Sequence, residues 1–137
     1  MVEDTLTIHN DMSEIRSLSK FAGLLCEANG MHAFEHRLTL VLEELFTNVV
    51  KYGYDDDRVH EIIVRVMADN GVLTASMEDD GRPFNPGDAQ IADTTGSVEE
   101  RPIGGLGIHL IFTIVDSFEY ERVNGLNRST ITIKTPA

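Results

Sequence analysis

Two alternating apolar segments, one on either side of Asp69-Asn70-Gly71, limit the choice of fold more than anything else in the sequence. Residues 60–68 place an apolar side chain at every second position, and residues 72–77 return as a second apolar run. This pattern around an Asn-Gly turn predicts a β-hairpin. The two strands are therefore expected to run antiparallel.

Two amphipathic helices are predicted before the hairpin. The first follows a cap at Asn10 or Asp11, carries apolar residues at spacings of three and four, and ends near Asn29-Gly30. The second is expected from about Ala33 to Tyr52, where Gly53 closes it. Both helices need an apolar surface to cover, and the predicted sheet supplies one.

The remaining elements define the fold class. A short strand is expected at Leu6 to Ile8, a helix opens at the glycine-rich segment 104–107, and strands near 118–123 and 129–134 flank a turn at Asn124-Gly125. Strands and helices do not alternate along the chain as they do in doubly wound folds. We therefore predict the α+β class: a two-layer α/β sandwich with a mostly antiparallel sheet and helices on one face.

Length and charge exclude several functions. The 137 residues suit a single domain, 1–137, and the net charge of −12 opposes binding to nucleic acid or to an anionic membrane. Cys26 is the one cysteine, which excludes a disulfide framework and fits a reducing cytoplasm. The first ten residues carry acids before any apolar run, and no segment approaches the roughly 18 apolar residues of a membrane span, so neither export nor membrane insertion is expected. A soluble cytoplasmic protein is expected.

A polar stripe on the second predicted helix is the first candidate site. Glu44, Asn48 and Lys51 fall within about 60° of arc at 100° per residue. Glutamate and lysine alone would indicate an ordinary solvent face with helical ion pairing. Asparagine is a mediocre helix former, but its side-chain oxygen is a suitable ligand for Mg²⁺.

The segment Met77 to Pro86, MEDDGRPFNP, is the second candidate. Its Asp, Gly and Pro residues are typical of a solvated turn, and the segment alone favours that interpretation. A loop follows at about 85–103, longer than most connections, which indicates either a functional lid or disorder.

The third candidate is a glycine cluster, Gly104, Gly105 and Gly107, at the start of the last predicted helix. Free backbone N–H groups at a helix start suit phosphate, although a plain helix entry explains the glycines equally well. The cluster fits neither the P-loop nor the dinucleotide-binding pattern.

Together the three clusters resemble the ATP-binding domain shared by gyrase, Hsp90, histidine kinases and MutL, known as the GHKL or Bergerat fold. Glu44xxxAsn48 resembles its N box, Asp79-Asp80-Gly81 its G1 box, and Gly105-Leu106-Gly107 its G2 box. The forms DDGRPFNP and GGLGIHLI look most like the anti-sigma-factor serine/threonine kinases of the RsbW type.

The resemblance implies ATP and Mg²⁺ as cofactors. Asp79 would accept a hydrogen bond from the adenine amino group, and Gly81 would let the base approach the backbone. Asn48 would hold Mg²⁺ on the triphosphate, Lys51 would approach the phosphates, and Gly105 and Gly107 would present N–H groups to them. Asp80 would be a solvated spacer.

The resemblance also implies that Glu44 is the general base on an attacking hydroxyl. Two positions depart from the family pattern, and a third role has two candidate residues. Tyr52 gives the N box a histidine-kinase form, Arg101 lies farther from the glycines than expected of a phosphate-contacting lid arginine, and either Ser129 or Thr130 could support adenine through water.

Three functions are compatible with this resemblance. The first is an ATP-dependent kinase and anti-sigma factor that phosphorylates an anti-anti-sigma (STAS-type) partner, binds a sigma factor and forms a homodimer. The second is an ATP-binding module that sequesters a regulator without phosphoryl transfer, and the third is a histidine-kinase catalytic domain. The five histidines lack metal-ligand spacing, and Asp55 to Asp57 are expected to form a solvated loop.

Overall fold

The computed structural model describes residues 1–85 and 111–134. A 3-10 turn, Met12–Glu14, precedes the first helix, and residues 111–114 are helical. The longer elements, in chain order, are β1 (Val2–His9), α1 (Ile15–Ala28), α2 (His32–Tyr52), β2 (Glu61–Asp69), β3 (Val72–Asp79), β4 (Ser117–Val123) and β5 (Leu126–Lys134).

The five strands form one sheet in the order β1-β2-β3-β5-β4, and every neighbouring pair is antiparallel. The helices pack on one face of this sheet and share a continuous apolar core with it. The predicted α+β class, with two layers and an antiparallel sheet, is therefore confirmed.

Two tight hairpins set the register of the sheet. Asn70 and Gly71 have φ values of 50° and 78°, and Asn124 and Gly125 have values of 53° and 79°. Two successive positive φ angles are typical of the two-residue turn that matches the twist of paired strands. Both Asn-Gly turns predicted from the sequence are present.

The core lies between the helices and the inward face of the sheet. Alternate residues of β2, β3 and β5 are buried there, as expected for strands with one covered face. The largest fully buried side chains include Leu18, Leu38, Leu42, Phe46, Ile62, Leu73, Met77, Ile131 and Ile133.

Two strand boundaries near the predicted nucleotide site differ from the prediction. β3 runs two residues beyond its expected end at Met77, so Asp79 is the last residue of a central strand. β5 begins at Leu126, three residues before the expected start. Both strands therefore bring additional polar residues, including Asn127, to the inward face of the sheet.

Part of the predicted architecture lies outside the described residues. This applies to the predicted lid at 85–103, except Asn85, and to the glycine cluster with the helix start at 104–107. Within residues 1–85 and 111–134, no helix is both long and apolar enough to span a membrane.

Candidate functional site

The end of α2 and the turn after β3 approach each other closely. The Arg82 N–H donates to the carbonyl oxygen of Gly53 at 2.7 Å, and Arg82 Nη2 donates to the carbonyl oxygen of Tyr52 at 2.7 Å. A Cβ atom on Gly81 would lie 2.5 Å from the Gly53 oxygen and 2.9 Å from Asp79 Oδ2. Only glycine therefore fits at position 81, because a side chain there would collide with the backbone of Gly53.

Asp79 is buried at this crossing, with 5% of its surface exposed. Its Oδ2 atom accepts hydrogen bonds from the Gly81 N–H and from Asn127 Nδ2, both at 3.0 Å. Burial raises the pKa of the carboxyl above its ordinary value, and these two hydrogen bonds oppose that rise. The carboxyl group is thus held in one orientation by two donors.

Asn127 completes the polar network around Asp79. Its Nδ2 also donates to the carbonyl oxygen of Arg82 at 2.8 Å. Its Oδ1 accepts from the Tyr120 hydroxyl and from Arg122 Nη1, the latter at 3.1 Å. Sequence reasoning missed this residue. A signal was present, because the Asn124-Gly125 turn and the apolar positions of β5 place residue 127 on the inward face.

A narrow cavity of about 10 Å³, with room for roughly one water molecule, adjoins Asp79. Phe84 lines it and stacks on Tyr52, with ring centroids 5.2 Å apart. A cavity of this volume is smaller than a purine base. The lining residues are Leu45, Asn48, Val49, Gly53, Met77, Asp79, Phe84, Asn127 and Ser129. Ser129 thus faces this cavity, whereas Thr130 lines a separate surface depression.

Asn48 lies on α2 and lines the same cavity with 1% of its surface exposed. Its Nδ2 donates to the carbonyl oxygen of Glu44 at 2.7 Å, and its buried Oδ1 has no hydrogen-bond partner within the described part of the chain. The solvent-face interpretation of this stripe is wrong at Asn48. A buried oxygen without a donor is a site that a hard cation can satisfy, so the residue fits Mg²⁺.

Glu44 lies one helical turn before Asn48 and is half-buried. Burial raises the pKa of its carboxyl, the neighbouring Glu43 carboxylate raises it further, and the Lys51 ammonium lowers it. Lys51 itself is exposed. Within the predicted polar stripe, Lys51 is therefore exposed to solvent, whereas Asn48 is buried in the protein interior.

Asp80, next to Asp79, faces a different cluster. Its side chain is half-exposed, Oδ1 lies 3.1 Å from His60 Nδ1, and Tyr54 donates its hydroxyl to the same oxygen at 3.4 Å. His60 Nε2 lies 2.9 Å from Asp56 Oδ1. Asp80 and Asp56 are both exposed, as expected for a solvated turn and a solvated loop, but each also contacts the same imidazole ring.

Three residues predicted to contact phosphate, Arg101, Gly105 and Gly107, lie outside the described residues, as does Gly104. The structure brings Asn48, Asp79 and Gly81 to one cavity or its rim. Among residues 1–85 and 111–134, no group of three or more His, Cys, Asp and Glu side chains is arranged to hold a metal ion.

Comparison with known proteins agrees with this geometry. The family model described as "Histidine kinase-like ATPase domain" matches residues 9–134. A search of curated protein sequences gives no match. Among solved structures, the RsbU and RsbW domains of Rv1364c from Mycobacterium tuberculosis match with a TM-score of 0.68 and 16% identity. The match covers 100% of this chain and 34% of that one.

Proposed function

This chain belongs to the family of histidine kinase-like ATPase domains, and we propose that it is an ATP-dependent serine/threonine protein kinase. In this proposal it acts as an anti-sigma factor of the RsbW type and phosphorylates an anti-anti-sigma (STAS-type) partner. The RsbW domain named in the matching structure supports this subgroup within the family. The observation that carries the proposal is the single cavity shared by Asp79 and Asn48.

The Asp79 end of the cavity suits adenine. A buried carboxylate that accepts from Gly81 and Asn127 can also accept from the exocyclic amino group of the base. Apolar side chains such as Leu45, Val49 and Met77 line the same cavity and can cover the faces of the ring. Because residue 81 is a glycine, no side chain there would block the base from approaching the backbone beside the Asp79 carboxylate.

The Asn48 end suits the triphosphate. Asn48 Oδ1 would hold Mg²⁺, and the ion would offset negative charge on the phosphate oxygens when bound. Lys51, one turn further along α2, would add a second positive charge near the phosphates. We propose that Arg101, Gly105 and Gly107 complete this end.

Glu44 would act as the general base. In the proposed step its carboxylate accepts the proton of a serine or threonine hydroxyl on the partner protein. The hydroxyl oxygen bonds to the γ-phosphorus, the bond to the β–γ bridging oxygen breaks, and ADP leaves. Partial burial of Glu44 supports this role, because it raises the pKa of the carboxyl and strengthens it as a base.

Transfer of radiolabelled phosphate from ATP to a STAS-type partner tests the proposal. Glu44→Gln should reduce transfer by about 100-fold or more while ATP binding is retained. Glu35→Gln is the matched control, because Glu35 lies in the first turn of the same helix, more than two turns before Glu44. This control should transfer phosphate normally.

Two other outcomes would identify the alternatives. ATP binding that depends on Asp79, without transfer to any serine or threonine, would indicate a module that sequesters its partner. Transfer to a histidine residue would indicate a histidine-kinase domain, as the Lys51-Tyr52 pair in the N box suggests. Wild-type activity in Glu44→Gln would remove the base assignment.

A further inference from the structure

Asn127 can adopt only one orientation of its side-chain amide. Its Nδ2 donates to Asp79 Oδ2 and to the carbonyl oxygen of Arg82, and its Oδ1 accepts from Tyr120 and Arg122. A flipped amide would place oxygen against two acceptors and nitrogen against two donors. The hydrogen-bonding capacity of the group is fully used, so Asn127 always presents a donor to Asp79.

Residues on β3 and β4, the two strands beside β5, hold Asn127 in position. Its partner across the sheet is Asp79, in the pairing between β3 and β5. Tyr120 and Arg122 come from β4, and Arg122 Nη1 also donates to the carbonyl oxygen of Gly81 at 2.7 Å. The amide is therefore tied to the strand that carries Asp79 and to the turn that follows it.

We propose that Asn127 is a specificity-determining residue, which positions Asp79 as a hydrogen-bond acceptor so that the site selects adenine over purines with a 6-oxo group. This inference rests on the proposed ATP function. Adenine presents a donor amino group at ring position 6, whereas hypoxanthine and guanine present an acceptor oxygen there. An ionised carboxylate accepts a hydrogen bond from the amino group of adenine and repels the 6-oxo oxygen of the other two bases.

The protonation state of Asp79 explains why Asn127 matters. Burial raises the pKa of Asp79, and the donor from Asn127 opposes this rise. Other nearby groups are Arg122 from β4, which lowers the pKa, Asp80 on the turn, which raises it, and Tyr54 after α2. Without the amide, Asp79 would gain a proton more readily and could then donate to a 6-oxo group.

The test compares ATP with inosine triphosphate, which differs from ATP at this ring position. Dissociation constants are measured with Mg²⁺ by calorimetry between pH 5.5 and 8. Wild type should prefer ATP by at least about 100-fold, since a site built around a hydrogen bond rejects the analogue that lacks it. Asn127→Leu should reduce this preference about 10-fold or more, and the reduction should grow as the pH falls.

A second variant keeps the test decisive if Asn127→Leu does not fold. Asn127→Asp has nearly the same shape but places a carboxyl group against Asp79, and two such groups tend to share one proton. Its preference for ATP should fall further than that of Asn127→Leu at neutral pH. Thr130→Val is the matched control on the same strand, because Thr130 is away from the cavity, and it should keep the wild-type preference.

The outcomes separate this inference from the proposed function. Equal weakening of both nucleotides at every pH in the Asn127 variants would show a merely structural role and overturn the inference. A wild-type preference that survives in both variants would overturn it as well. Wild type that binds neither nucleotide would instead overturn the proposed ATP function.

Discussion

Asp79 and Asp80 are neighbours in the chain, yet they lie on two sides of a turn that differ in burial and in chemistry. On the pocket side, Asp79 is 5% exposed and its partners are an amide and a backbone N–H, which do not titrate. On the surface side, the Asp80 side chain is 50% exposed and its partners are the Tyr54 hydroxyl and the titratable imidazole of His60. One pair of identical residues therefore forms two different kinds of site.

The strand geometry explains this difference. Successive residues of a strand point to opposite faces, and β3 extends through Asp79. Leu73, Ala75, Met77 and Asp79 are all buried on the inward face. Asp80 follows the strand end and meets the segment between α2 and β2 instead. The pocket side should thus control ligand binding, and the surface side should respond to pH.

Asp79→Asn should give the largest effect. The substitution replaces an acceptor with an amide, and an amide nitrogen in place of Oδ2 would face the two donors on Gly81 and Asn127. The dissociation constant for ATP should rise about 100-fold or more. Calorimetric titration with Mg·ATP measures it. Asp80→Asn is the control, and equal losses in the two variants would remove the distinction between the sides.

Asn48→Leu should separate ligand binding from stability on the pocket side. Because Oδ1 of Asn48 is buried without a partner among the described residues, removing it should leave the free energy of unfolding unchanged or raise it by about 1 kcal/mol. Affinity for Mg·ATP should fall about 10-fold or more. Urea denaturation and calorimetry measure the two quantities. A loss of stability greater than about 2 kcal/mol would show that Asn48 Oδ1 already accepts a hydrogen bond in the protein without nucleotide.

Gly81→Ala should damage the crossing between the turn and α2. The new Cβ atom would lie 2.5 Å from the Gly53 carbonyl oxygen, which belongs to the backbone and cannot turn away. The expected loss is about 1–3 kcal/mol in the free energy of unfolding, measured with urea. Gly23→Ala in α1 is the control, because its Cβ would have no neighbour closer than 3.9 Å, and it should be neutral or stabilising. Equal stability of both variants would contradict the crowding at Gly81.

Much of the fold was predictable because its signals are local. The Asn-Gly turns specify positive φ angles, and the residues beside each turn specify the register of its hairpin. The second helix was predicted to within one residue, since its apolar spacing and Gly53 lie within the helix or next to it. The positions of Asn48 and Asp79 in the cavity were predicted from motif resemblance rather than from periodicity.

The partners of these residues were not predictable in the same way. Asn127 reaches Asp79 because β5 pairs with β3, and these strands are separated by more than 45 residues in the chain. The contact of His60 with Asp80 differs, because these residues flank the open end of the β2–β3 hairpin, where Ile62 pairs with Asp79, so it follows from the register of that hairpin. Periodicity indicates which face a residue occupies but not which strand lies beside it. The contact of Asn127 with Asp79 therefore requires the tertiary structure.

The pH response of the surface side should be the smallest effect. The hydrogen bonds with Asp56 and Asp80 raise the pKa of His60 above its ordinary value of 6.5. The folded state therefore binds the His60 proton more tightly than the unfolded state does. The resulting stabilisation is fully present below pH 6.5 and is lost as the pH rises through the higher pKa of the folded state.

Urea denaturation between pH 5 and 9 measures this loss, and His60→Gln should remove it. Asp80→Asn should reduce it, because among the described residues Asp56 then remains as the one carboxylate in contact with His60. Neither variant should change ATP affinity by more than about fivefold, since exposed ion pairs contribute little free energy. If Asp80→Asn weakened ATP binding as strongly as Asp79→Asn, the His60 contact would have to position the turn for the nucleotide. The pocket and surface sides would then form one site that responds to pH.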